Sequence, residues 1–276
     1  MTSPGDRAGL IHVLRALGDG VTDVMVVGGW AHRLHAHHPL AASGGNPLTT
    51  LDFDLFVPLP SPSSAIRVTS LVEAGFEVRL GGLDAAPVTK YVLPPGRGIA
   101  GSILELEFLA HRRGAEIDRR GHRQRTTHVG DAVAQLLPHL DVMTHEPWTL
   151  HLSDELGYPT GATGLTVRVV APATYIAHKL MILPERRTLQ KRSQDVRYVY
   201  ESIVRFSPVL DELGASWRRR VSTAADRRRL DAGRKLACTP ELAELARRIR
   251  DLDGREAPAA RVAAVIEAGS AQMFDG

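Results

Sequence analysis

Asp52 and Asp54 stand one residue apart in the run Thr49-Thr50-Leu51-Asp52-Phe53-Asp54-Leu55-Phe56-Val57. In an extended strand side chains alternate with period two, so the two carboxylates project from one face while Leu51, Phe53 and Leu55 project from the other. Neighbouring carboxylates repel unless a positive charge lies between them, and such an oxygen-rich site suits a magnesium ion carrying phosphates. A third acid is available downstream. In Ile103-Leu104-Glu105-Leu106-Glu107-Phe108-Leu109, Glu105 and Glu107 share one strand face and the apolar residues Leu104, Leu106 and Phe108 share the other. Upstream, the apolar run Val24-Met25-Val26-Val27 ends in Gly28-Gly29 and passes into Trp30-Ala31-His32-Arg33-Leu34-His35-Ala36, which reads as helix. A junction of strand and helix offers free backbone N–H groups and a favourable dipole to a phosphate, and glycine lets the backbone approach it closely.

The elements that must position these residues are legible as an alternation of short strands and helices. Residues 7–18 place Leu10, Ile11, Leu14 and Leu17 at helical spacing and close on Gly18, a helix stop. Residues 39–47 are rich in Pro and Gly and read as a loop, and the acid strand stops at Pro58-Leu59-Pro60. Spacing predicts a helix over 63–76, strands over 77–80 and 90–93, a short helix over 131–140, and a hairpin pairing 148–152 with 165–170. Pro172 suits the first turn of a helix running to Met181. Beyond it, 188–206, 211–229 and 240–250 all favour helix. No internal repeat or low-complexity segment is present.

With 276 residues, 43% hydrophobic and 24% charged, the chain has the composition of an ordinary globular protein with room for a core. Cys238 is the sole cysteine, which excludes an internal disulfide and a cysteine-rich zinc site. Met1-Thr2-Ser3-Pro4-Gly5-Asp6 lacks the basic and apolar regions of a signal peptide, and no apolar stretch reaches bilayer-spanning length, so the expectation is a cytoplasmic protein with no membrane association. The net charge of +3 conceals an asymmetry. Residues 1–170 hold 14 Lys and Arg against 17 Asp and Glu, net −3, whereas residues 171–276 hold 20 against 14, net +6. A basic C-terminal part fits a polyanionic partner such as RNA, although solvated helix faces often carry similar charge.

Taken together, Gly28-Gly29, then Thr50-Leu51-Asp52-Phe53-Asp54-Leu55, then Glu107-Phe108-Leu109 resemble the polymerase-β-like nucleotidyltransferase superfamily. The further run Val170-Ala171-Pro172-Ala173-Thr174-Tyr175-Ile176-Ala177-His178-Lys179-Leu180, with Arg186-Arg187, Lys191 and Asp195, resembles its bacterial branch of AbiEii-type and MenT-type toxins. The resemblance covers about Val24 to Tyr200, and the Pro/Gly-rich loop lengthens the interval between Gly29 and Asp52 relative to compact members. It implies an α+β fold: a catalytic domain over 1–171, with a mixed sheet flanked by helices, and a mainly helical domain over 172–276. It implies two magnesium ions, with manganese as a substitute, held by Asp52, Asp54 and Glu107, with Glu105 as the runner-up ligand. Gly28 and Gly29 would cradle the β and γ phosphates of an NTP. Lys179, Arg186 and Lys191 would neutralise the triphosphate, with Arg187 a further candidate, and Asp195, four residues beyond Lys191, would orient that lysine.

The same resemblance suggests transfer of a nucleotide to RNA, with the tRNA 3′ end as acceptor, and a role as the toxin of a pair with an antitoxin protein as partner. A small molecule of aminoglycoside type or a protein is the alternative acceptor, and a degenerate nucleotide- or RNA-binding module is the alternative without chemistry. Three further clusters have plainer readings. His32, His35, His37 and His38 have no nearby Asp, Glu or Cys to complete a zinc set and are expected to be solvated or partly buried. Arg218-Arg219-Arg220 and Arg227-Arg228-Arg229 either bind RNA phosphates, with Trp217 stacking on a base, or form a solvated helix face. His111-Arg112-Arg113 follows the third-acid strand and reads as a cluster that could reach the substrate.

Overall fold

The computed structural model describes residues 4–42, 52–59, 66–81, 88–95, 103–112, 125–220, 223–245 and 258–275. By its contacts the chain divides into two compact units, one built from residues 2–31 and 49–170, the other from 32–48 and 171–276.

The first unit is organised on a mixed sheet. Its strands are β1 (Met25–Val26), β2 (Asp52–Val57), β3 (Glu77–Gly81), β4 (Val88–Leu93), β5 (Leu104–His111), β6 (Thr126–Val129), β7 (Ala132–Leu137), β8 (Trp148–His151) and β9 (Thr166–Val169). Among the described residues these nine form one sheet, seven of them in the order β3-β4-β5-β2-β1-β9-β8 with β7 and β6 off that path. Strand β5 is long enough to hold two neighbours on one edge: residues 104–107 pair with β4, and 108–111 pair with β7, which in turn carries β6. The pairs β2/β5, β1/β9 and β5/β7 are parallel, and the other pairs are antiparallel. Helix α1 (Pro4–Leu17) buries Leu10, Val13, Leu14 and Leu17, as its spacing predicts. From its outer side Arg7 and Arg15 donate to the carbonyls of Gly157 and Gly161, at 2.6 and 2.8 Å. Helix α2 (Gly28–Leu34) begins at the glycine pair, and α3 (Val68–Glu73) precedes β3.

In this unit two stretches differ from their expected states. Residues 131–140 do not form a helix: 132–137 are strand β7, with Ala132, Ala134 and Leu136 buried on one face and Val133, Gln135 and Leu137 half-buried on the other. Pairing with β5 and β6 decides the matter, since the apolar content of this stretch suits either state. The helix expected over 63–76 is only α3, because Arg67 is extended and Gly75 turns the chain at φ +96°; residues 63–65 lie outside the described residues. Strand β6 has no counterpart in the sequence reading, although Gly130-Asp131 between β6 and β7 is a two-residue hairpin signal.

The second unit is helical. Helix α4 (Pro172–Ile182) is buried along its whole length, so its apolar composition all round is that of a central helix. Against it pack α5 (Leu189–Arg205), α6 (Leu210–Arg219) and α7 (Ala224–Ala237), and on these in turn α8 (Pro240–Leu245) and α9 (Ala259–Phe274). Helix α7 crosses α4 at Gly233, where any side chain would collide with the Leu180 carbonyl. The single helix expected over 211–229 is in fact two. Thr223 starts α7 with a reciprocal capping box, its hydroxyl accepting from Asp226 N–H and the Asp226 carboxylate accepting from Thr223 N–H. Of the helix expected over 240–250, residues 246–250 lie outside the described residues. No described helix is long and apolar enough to cross a membrane.

Candidate active site

Alternation on β2 buries Phe53 and Leu55 completely and leaves Asp52 and Asp54 half-exposed on the opposite face. Phe53 is anchored under Trp30, with ring centroids 4.8 Å apart. Strand β5 follows the same rule, burying Leu104, Leu106 and Phe108 and leaving Glu105 and Glu107 on the acid face. The parallel β2/β5 register then sets Asp52 opposite Glu105 and Asp54 opposite Glu107. Four carboxylates are thus brought to one face of two adjacent strands. Leu51 lies outside the described residues.

The glycine pair meets the acids through Asp54. Val27 N–H donates to the Asp54 carbonyl at 3.0 Å, which carries the β1/β2 pairing to the edge of the turn. Gly28 has φ +62°, and a Cβ there would collide with Asp54 Oδ2. Gly28 is therefore required for two independent reasons, a left-handed backbone and the proximity of a carboxylate. The turn expected at Gly28-Gly29 is the first turn of α2 itself.

Lys90 is the residue that reading the sequence missed. It stands on β4 directly opposite Glu107, and its Nζ donates to Glu105 Oε2 at 2.6 Å and Glu107 Oε1 at 2.8 Å. Partial burial by itself would lower the lysine pKa, but the hydrogen bonds and charges of the two glutamates outweigh it and hold the ammonium above its ordinary value. The Glu107 side chain is 14% exposed and that of Glu105 31%, so Glu107 lies deeper in the site. Among the described residues no group of three or more His, Cys, Asp or Glu side chains stands close enough to hold a metal ion. Carboxylates such as Asp52 and Asp54 are hard oxygen donors of the kind magnesium takes, and Glu107 has one oxygen on Lys90.

In the helical unit Lys179 and Arg186 converge on one acid. Lys179 Nζ lies 2.8 Å from Asp195 Oδ1 and 4.9 Å from the centroid of the Tyr198 ring, and Arg186 Nε lies 2.6 Å from Asp195 Oδ2. Burial pushes the Asp195 carboxyl up, but the charges of Lys179 and Arg186 prevail and hold it below the usual carboxylate range. Asp195 therefore does not orient Lys191, whose Nζ reaches Gln194 at 3.5 Å instead.

The histidine cluster is more buried than expected. His32 and His35 are fully buried, while His37 and His38 are half-buried. His32 Nε2 donates to Glu201 Oε2 at 2.8 Å, and its Nδ1 lies 3.3 Å from the Ser202 hydroxyl. Burial lowers its pKa despite the pull of Glu201. Trp217 is buried against Phe274 with centroids 5.6 Å apart and carries Arg220 over its ring, so it is not available to stack on a base. Arg220 is paired with Asp226 at 3.3 Å, while Arg227 and Arg228 are exposed on α7. His111 lies 3.5 Å from Asp141, and Arg112 donates to the Leu136 carbonyl; Arg113 lies outside the described residues.

The sheet thus sets an Asp-x-Asp strand against a glycine-led helix and a second acidic strand. A family model described as nucleotidyltransferase matches residues 7–220, and the chain belongs to that family. It is accordingly an enzyme that moves a nucleotide from an NTP. Among solved structures, an antigenic nucleotidyltransferase-like protein from Paracoccidioides brasiliensis is similar at 20% identity and a TM-score of 0.43, over 83% of this chain and 94% of that one. A search of curated proteins returns no match.

Proposed function

We propose that this enzyme transfers an NMP, in a magnesium-dependent reaction, from an NTP to a hydroxyl of RNA, with the tRNA 3′ end as the acceptor. The observation that carries the catalytic part is the register of Asp52 and Asp54 with Glu105 and Glu107 beside Gly28. Asp52 and Asp54 would hold the metal, which when bound neutralises phosphate charge and lowers the pKa of the attacking hydroxyl. The acceptor oxygen forms its bond to the α-phosphorus as the bond to pyrophosphate breaks, and a carboxylate of this face takes the hydroxyl proton. Gly28 and Gly29, at the start of α2, are proposed to meet the β and γ phosphates through backbone N–H groups. On the helical unit, Lys179, Arg186 and Lys191 are proposed as triphosphate ligands, two of them pre-positioned by Asp195.

The RNA acceptor is supported by the net +6 of residues 171–276 and by exposed Arg227 and Arg228. A cationic acceptor of aminoglycoside type would meet repulsion there. The toxin role and its antitoxin partner rest on the resemblance of residues 170–195 to AbiEii-type and MenT-type proteins. Incubation with each labelled NTP, magnesium and total tRNA tests the proposal, with parallel arms containing an aminoglycoside and total protein. Label in RNA is the expected result. Label only in the small molecule or in protein overturns the RNA acceptor, and no label in any arm counts against the assigned site.

A further inference from the structure

Across four strands the acid face carries a row that runs Arg79, Lys90, Glu107, Asp54 on β3, β4, β5 and β2. Arg79 is turned to its own strand, with Nη2 2.9 Å from Glu77. Lys90 reaches the other way and bonds both acids of β5, at 2.6 and 2.8 Å. Two carboxylates at i and i+2 on one strand face repel, and on β5 the protein supplies a positive charge between them. A divalent ion seated at Glu107 would have to displace an ammonium held by two charge-assisted hydrogen bonds, or stand beside it against like-charge repulsion.

We propose, building on the reading that Asp52 and Asp54 hold the metal, that Lys90 is a built-in second cation: its ammonium takes the place of a second metal ion, and this face binds one divalent ion rather than two. Lys90 is then a positioning residue that fixes Glu105 and Glu107 and supplies constant positive charge on the β5 side of the site. Replacing it by a neutral side chain of similar length frees both glutamates and creates the second metal position.

The test counts Mn2+ bound by the full chain, from the EPR signal of the free ion, in the wild type, Lys90→Met and Lys90→Arg. One ion per chain is expected for the wild type and for Lys90→Arg, and two for Lys90→Met; Mn2+ should also raise the melting temperature of Lys90→Met more than that of the wild type. Two ions in the wild type overturn the proposal, as does a single ion in folded Lys90→Met. If Lys90→Met does not fold without metal, recovery of its fold on adding Mn2+ supports the proposal and failure to recover overturns it. Binding of no Mn2+ by either protein also overturns it, and NTP incorporation by the wild type, measured separately, shows whether the assignment of Asp52 and Asp54 falls as well.

Discussion

The Asp54 carboxylate occupies the space that a side chain on Gly28 would need, with Cγ 2.9 Å from where a Cβ would stand. The glycine turn and the Asp-x-Asp strand are therefore one structural unit, in which each residue constrains the other. Gly28→Ala should lose about 1–2 kcal/mol from the left-handed backbone alone. It should also push Asp54 aside, and a displacement of that kind lowers transfer by roughly 10²-fold. Thermal melting and labelled-NTP incorporation measure the two effects separately. Unchanged transfer would show that Asp54 has no fixed part in the chemistry.

Asp52→Asn and Asp54→Asn are nearly isosteric and sit on a half-exposed face. Each should lower incorporation by roughly 10³-fold, as expected for loss of metal-based charge stabilisation. The circular dichroism spectrum should not change. Retained activity in either variant would remove that residue from the site.

Asp195 answers two cations from a buried position, and Lys179 is nearly as buried as the acid itself. Asp195→Asn leaves the Lys179 ammonium buried without its counter-charge and should cost about 3 kcal/mol. Because the folded carboxyl titrates below its ordinary value, the wild-type stabilisation is complete above about pH 4 and is lost as pH falls through the lowered pKa. Denaturant unfolding curves should therefore show Asp195→Asn losing most relative to the wild type at neutral pH and least in acid.

His32 gives the opposite chemistry with the same sign. Burial holds the folded imidazole below 6.5, so the unfolded chain binds the proton first. Its contribution is present above pH 6.5 and declines as pH drops toward the folded pKa. His32→Gln should flatten that part of the stability profile; an unchanged slope below pH 6.5 in the variant would assign it to another group.

The two arginine clusters should separate in function. Arg227→Glu with Arg228→Glu, on an exposed face, should weaken RNA binding and reduce its salt dependence without altering the fold. Trp217→Ala should instead lower stability by about 3–5 kcal/mol, since the ring is buried against Phe274. Filter binding at several salt concentrations, with melting curves in parallel, distinguishes these outcomes.

Much of what local chemistry dictates was legible in the chain's own residues. Period-two alternation placed Asp52 with Asp54 and Glu105 with Glu107, Pro172 opened α4, and the spacing of Leu10, Leu14 and Leu17 marked α1. Some missed features also had local signals: the capping box at Thr223 and Asp226 that divides α6 from α7, the Gly130-Asp131 hairpin turn, and the periodic Val262, Ile266 and Met273 of α9. Others depend on partners far along the chain. Residues 132–137 are apolar enough for helix or strand, and only the edge of β5 makes them a strand. Whether Asp195 serves Lys191 or Lys179 was settled by the packing of α4 on α5, which a within-helix spacing rule does not contain. The pairing of Asp54 with Glu107 and of Lys90 with both glutamates is a matter of strand register. Alternation determines which face a side chain takes; only the folded sheet decides what stands opposite it, because register is set by long-range hydrogen bonding and burial.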